Sequence, residues 1–191
     1  RRRKAVARRA RPGSGSVFSA FTSTKSSREP MMLVYFIDGY NVVHHSPRLR
    51  EAASRDFERA RDLLIDLVAR YCGAAGVEAR IVFDGNAEHA KEDRPVQGMP
   101  GVHVIYARKK QTADAYIERT VYESASRRSI VVVTSDHGIR DLCGGLGALT
   151  MSPEHFLASA QEAATESSER MDRAARAGAI TSLEDRLGAS S

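Results

Sequence analysis

Four short, mostly apolar runs punctuate the chain, at positions 33–37, 79–83, 102–106 and 130–133, broken only by Arg80 and His103. Runs of this length, bounded by polar residues and glycine, read as strands buried on both faces. Between the first two, Phe57, Leu64, Leu67, Val68 and Tyr71 recur at helical spacing and predict a helix over 55–71. Ser54 is the expected N-cap, and Gly73 and Gly76 are the expected stop. The segment 85–101 is polar and interrupted by Pro95 and Pro100, so it reads as a long loop. A helix over 113–124 capped by Thr112, a short helix over 137–143 and a last short strand near Leu149 follow. Ser152-Pro153 opens the final helix, with serine as cap and proline at the first helical position. From about Ser159 that helix is rich in Ala and Glu with few large apolar residues, and it is expected to fray or dock loosely.

Strands alternating with helices imply an α/β fold: a Rossmann-like three-layer arrangement around a mainly parallel sheet of about five strands, with right-handed crossovers. In such sheets ligands bind beyond the carboxyl ends of the strands. Asp38, Asp84 and Asp136 each end an apolar run, and Asp114 opens the helix that returns to the same edge. Like charges gathered there raise one another's pKa unless a cation lies between them, so the arrangement reads as a cradle for a divalent metal. Mg2+ or Mn2+ suits an all-oxygen donor set that uses one or two carboxylates per ion. Glu118 lies four residues after Asp114 on one helix face, within reach of a second ion. Each aspartate taken alone also fits a helix or turn cap. Tyr40 suits either stacking on a base or packing in its turn.

Charge is unevenly distributed. The 191 residues carry a net +5, yet residues 1–30 hold nine Lys/Arg against the single Glu29. The other 161 residues, with 20 basic and 23 acidic side chains, are net −3. Residues 1–30 lack an apolar period and are expected to be a disordered basic tail. Their Arg- and Ser-rich composition fits a transit segment, or translated sequence upstream of a start at Met31 or Met32. Residues 31–160 are the expected folded domain and 161–191 a helical extension. Two cysteines, Cys72 and Cys143, are too few for a disulfide framework or a Cys-based zinc site. No apolar run approaches the roughly 18 residues that span a bilayer. The bacterial cytoplasm is the expected location, with the plastid stroma as the alternative if the tail is a transit segment.

Asp38-Gly39-Tyr40-Asn41 after the first strand, Thr112-Ala113-Asp114 with Glu118 one turn on, and Thr134-Ser135-Asp136 after a later strand form an ordered set. Over residues 33–160 it resembles the NYN domains of the PIN-like nuclease superfamily. More narrowly it resembles the YacP-like branch, which includes the bacterial ribosome-associated endoribonuclease. The resemblance implies a PIN/NYN fold and a metal-dependent RNase acting on RNA, mRNA above all, in association with the ribosome. By the same resemblance Asp38 and Asp114 are metal ligands, Asn41 orients Asp38 or a water of the ion, and Asp136 completes the cluster. Asp84 is a secondary ligand, because an acid at that position is less diagnostic of active nucleases.

Arg108-Lys109-Lys110 directly precedes Thr112-Ala113-Asp114, so these cations are expected at the rim where a phosphate backbone approaches. Lys91, Arg94 and Gln97 would add contacts from the long loop. Arg127-Arg128, at the opposite strand edge, reads as solvated. The histidines form no ligand set: His44 and His45 read as solvent-facing, and His137 as a candidate proton carrier beside Asp136. Gly144-Gly145-Leu146-Gly147 lacks the Lys-Ser/Thr of a phosphate loop and reads as a turn. Two other classes remain: a catalytically weak RNA-binding or ribosome-docking module, and a different Rossmann-like phosphohydrolase. The haloacid dehalogenase type needs Asp-x-Asp after the first strand, and Tyr40 stands where the second Asp belongs.

Overall fold

The computed structural model describes residues 32–85, 93–107 and 111–188. The chain divides into two units, Arg1–Pro30 and Met31–Ser191, and every element below belongs to the second. The expected basic tail lies outside the described residues. In chain order the elements are β1 (Val34–Asp38), α1 (Gly39–His45), α2 (Pro47–Arg55), α3 (Phe57–Ala75), β2 (Glu78–Phe83), β3 (Asp93–Val96), β4 (Met99–Tyr106), α4 (Ala113–Glu123), β5 (Ile130–Val133), α5 (His137–Gly145), β6 (Leu149–Met151) and α6 (Pro153–Gly188).

Six strands form one sheet in the order β3-β4-β2-β1-β5-β6. All neighbours are parallel except β3 and β4. β1 is central and pairs with β2 on one side and β5 on the other, so the carboxyl ends of three strands lie side by side. Alternate residues of β1 enter opposite layers, as the pleat requires. Tyr35 and Ile37 pack with Leu64, Val68 and Phe156 from α3 and α6, whereas Phe36 packs with Ile117, Val121 and Cys143 from α4 and α5. Cys72 belongs to the first layer and Cys143 to the second, so the sheet separates the two thiols. Burial pushes both up to about 11. Within the first layer the Tyr35 and Tyr71 hydroxyls share a hydrogen bond of 3.0 Å.

Several local expectations are corrected. Ser54 does not cap α3; its hydroxyl donates to the Glu51 carbonyl, while Asp56 caps the helix by accepting from Glu58 N–H. The stretch before it folds as two helices, α1 and α2, joined at Ser46, which caps α2 ahead of Pro47. Gly73 continues α3, and only Gly76 ends it, in a left-handed conformation with φ 67° that suits glycine. The long loop contains β3, an edge strand antiparallel to β4, where a proline is tolerated because one side of the strand has no partner. That strand raises the count from about five to six. α6 continues past Ser159 to Gly188, with Phe156 and Ala160 at its start buried and residues 161–176 mostly exposed. Arg127 is not merely solvated: its guanidinium donates to the Val121 and Tyr122 carbonyls at the end of α4. Among the described residues, no helix is long and apolar enough to cross a membrane.

Candidate acidic site

The parallel register of β2, β1 and β5 brings the residues after them to one edge. Asp38 is the last residue of β1, Asp84 follows β2, and Asp136 follows β5 by three residues. The first turn of α4 returns to this edge because Asp84 Oδ1 accepts the Ala113 N–H at 2.6 Å, which holds Asp114 beside Asp38. Gly39 makes the turn after Asp38 possible: a Cβ there would strike the Phe83 ring, so α1 lies directly on β2.

Two of the acids are built in as caps. Asp38 accepts the Asn41 N–H at 3.0 Å and starts α1, and Asp136 accepts the Ile139 N–H at 3.1 Å and starts α5. Asp84 accepts the first N–H of α4 from outside the helix, whose own N-cap is Thr112, as expected. Capping uses one oxygen of each carboxylate and leaves the other available. A structural role and a ligand role therefore coexist at one side chain.

Asp38 is 8% exposed. Burial pushes its carboxyl up to about 6, against the lowering by the Asn41 N–H bond, and the charges of Asp114 and Asp84 add to the rise. Asp114 is also raised, by burial and then by Asp136, Asp84 and Glu118. Asp38 and Asp114 each bear on the other's ionisation, so five acids act on one another at this edge.

Carboxyls gathered in this way raise one another's pKa unless a cation lies between them, and the donors are all oxygen, the set that Mg2+ or Mn2+ accepts. The residues fit such an ion in chemistry. Among the described residues, however, no group of three or more Asp, Glu, His or Cys side chains is drawn together tightly enough to hold one as it stands.

Asn41 holds Asp38 through its backbone N–H. Its side chain turns to the β5–α5 loop, where Nδ2 donates to Ser135 Oγ and Oδ1 accepts Ser135 N–H, both at 2.9 Å. It ties the Asp38 turn to the Asp136 turn, and only its backbone N–H reaches Asp38. Ser135 and Thr134, whose hydroxyl accepts the Asp136 N–H, are thus part of the site. The Thr-Ser-Asp motif carried that signal, although the aspartate alone had been singled out. His45 does not simply face solvent: Nδ1 bonds to the Asn41 carbonyl at 2.8 Å and Nε2 lies 3.4 Å from Glu154 at the start of α6. His44 and His137 are exposed.

Tyr40 packs in its turn, stacked on Phe57 at 4.9 Å and edge-on to Phe83. Arg61, which no motif pointed to, lies against the same cluster, with its guanidinium carbon 5.9 Å from the Phe57 ring centre and 5.8 Å from that of Tyr106. The expected rim of Arg108, Lys109 and Lys110 lies outside the described residues, as do Lys91 and the Arg94 side chain.

The sequence profile of the YacP-like NYN domain matches residues 35–190, which span β1 to α6 and contain all five acids. The chain belongs to this family. The YacP-like NYN family is nuclease-like, and NYN and PIN-like nucleases generally use divalent metals. The uncharacterized protein YacP of Bacillus subtilis strain 168 is 32% identical over 127 residues, covering 66% of this chain and 74% of that protein. Two crystal structures of Rae1 (YacP) from Bacillus subtilis, one of a point mutant, superpose with a TM-score of 0.63 at 28% identity. The mutant aligns over 76% of this chain and 85% of its own, the other over 82% and 91%. The YacP-like NYN fold is therefore the three-layer α/β architecture described above.

Proposed function

We propose that this chain is a metal-dependent endoribonuclease that hydrolyses RNA phosphodiester bonds, with mRNA in a ribosome-associated context as its substrate. The observation that carries the reading is the gathering of Asp38, Asp84, Asp114 and Asp136 at the carboxyl edge of the sheet, where parallel register and the Asp84 to Ala113 bond bring them together. Carboxylates so placed repel one another and favour a cation between them.

Asp38 and Asp114 would hold the ion, Asp136 would complete the set, and Asp84 and Glu118 would serve a second ion or its waters. When bound, Mg2+ or Mn2+ supplies an activated water and offsets charge on the scissile phosphate. The chain's own residues orient and hold. Asn41 and Ser135 fix the Asp38 and Asp136 turns relative to each other, and Asp84 anchors the helix that carries Asp114. Water adds to phosphorus and the P–O bond to one ribose oxygen breaks, with that oxygen taking a proton as it leaves. No covalent link to the enzyme forms. Arg108, Lys109 and Lys110 would meet the phosphate backbone without reading sequence.

The test compares wild type with Asp114→Asn for RNA cleavage in Mg2+ or Mn2+, on free RNA and on ribosome-bound mRNA. Cleavage by wild type alone is the expected result. Two outcomes overturn the reading: no cleavage of either substrate, or equal cleavage by the variant. Cosedimentation with ribosomes tests the partner separately.

A further inference from the structure

Beside the acids lies a second cluster that the proposed chemistry does not use. Tyr40 follows β1, Tyr106 ends β4, and Phe57 and Arg61 lie one turn apart on α3; all three aromatic rings are only partly buried. Tyr40 stacks on Phe57, and Tyr106 stacks on Phe83 at 5.9 Å. The Arg61 guanidinium spans the two stacks, near both the Phe57 and the Tyr106 ring. Two of its in-plane donors are taken, one by Glu58 Oε1 at 2.9 Å and one by the Tyr106 hydroxyl at 3.4 Å. These contacts hold the guanidinium in a fixed place beside the Phe57 and Tyr106 rings. Its side chain is 21% exposed, while Glu58 beside it is 82% exposed.

The cluster adjoins the acidic edge. Tyr40 lies two residues after Asp38 and sits edge-on to Phe83, the residue before Asp84. Tyr106 also lines a groove that continues along α4 past Gln111, Tyr116 and Arg119. Tyr106 thus belongs both to the cluster and to this groove.

We propose that Arg61, framed by Tyr40, Phe57 and Tyr106, is a stacking platform that seats one unpaired nucleobase of the RNA next to the acidic site. The proposal rests on the nuclease reading for its ligand class and adds a subsite to it. Physical need supports it: residues 31–191 are net negative, so phosphate attraction is weak over most of the surface, and stacking supplies affinity that does not depend on net charge. Stacking accepts any base, so the subsite selects single-stranded over paired RNA rather than one sequence over another.

The experiment uses the full chain and a short labelled single-stranded oligoribonucleotide, with a series in which one nucleotide at a time is abasic. Binding is read by fluorescence anisotropy in chelator, so that no cleavage occurs. One abasic position is expected to weaken wild-type binding roughly 5- to 150-fold. Arg61→Gln and Tyr106→Leu should bind the intact strand about as weakly as wild type binds that abasic one, and lose little more on the abasic strand. Tyr106→Phe keeps the ring and should keep most of the penalty. Circular dichroism verifies the fold of each variant, and Arg61→Gln, on the outer face of α3, carries the test if Tyr106→Leu unfolds. The proposal is overturned if no position is base-dependent, or if both variants keep the full penalty. Cleavage of the same series in Mg2+ separates the two ideas. Base-dependent binding without any cutting leaves the platform and removes the nuclease, whereas equal cutting of every abasic strand removes the platform alone.

Discussion

Replacing Asp38 with asparagine should stabilise the metal-free protein while abolishing its activity. The Asp38 carboxyl rises from 3.8 to about 6 in the folded chain. The folded state therefore binds more protons than the unfolded state between these values, and stability falls as pH rises through this window. At about 1.4 kcal/mol per pKa unit, the full cost above the folded pKa is roughly 3 kcal/mol, to order of magnitude. Asparagine removes that cost and imitates the protonated acid: Oδ1 still accepts the Asn41 N–H as an N-cap, and Nδ2 can donate to Asp114. For a domain of this size, 3 kcal/mol corresponds to about 6–12 °C in melting temperature. Thermal melts in chelator at pH 4 and pH 8 are the assay. The variant should melt close to wild type at pH 4 and well above it at pH 8, and added Mn2+ should raise the wild type only. A variant that is less stable at pH 8, or a difference that ignores pH, refutes the electrostatic argument.

Asp136→Asn separates capping from chemistry, because asparagine caps a helix as well as aspartate does; its unfolding free energy by urea should stay within about 0.5 kcal/mol, while RNA cleavage falls at least about 10-fold. Ser135→Ala removes the hydroxyl that receives Asn41 Nδ2, and cleavage rates should fall about 10- to 100-fold, with the melting temperature only slightly lowered. Gly39→Ala drives a methyl group into the Phe83 ring and should cost about 1–3 kcal/mol in urea unfolding, with loss of cleavage as the Asp38 turn shifts.

The strands near Ile81 and Val132 were legible because both their faces are buried, so their apolar runs are continuous. β3 was not, because an edge strand with Pro95 lacks that signature and its polar residues imitate a loop. α1 and α2 were hidden by their shortness, although Ser46-Pro47 carried a readable start signal for α2. At the site, the placement of Asp38, Asp84 and Asp136 followed from strand ends, since parallel register carries them to one edge. The rest depends on contacts between distant positions. Asn41 meets Ser135 across 94 residues and Arg61 meets Tyr106 across 45, and no local pattern reports either.

The same 94-residue span sets when the acidic site comes into being. During synthesis β1 emerges first, and β2 and β4 can extend the sheet on one side while the other edge of β1 stays open. Only when β5 slides in does Asp136 arrive and Asn41 find Ser135. Nor does the first layer close until Phe156 of α6 follows. A nascent chain thus carries its acids unassembled through most of its growth, and the acidic edge is complete only when the fold is.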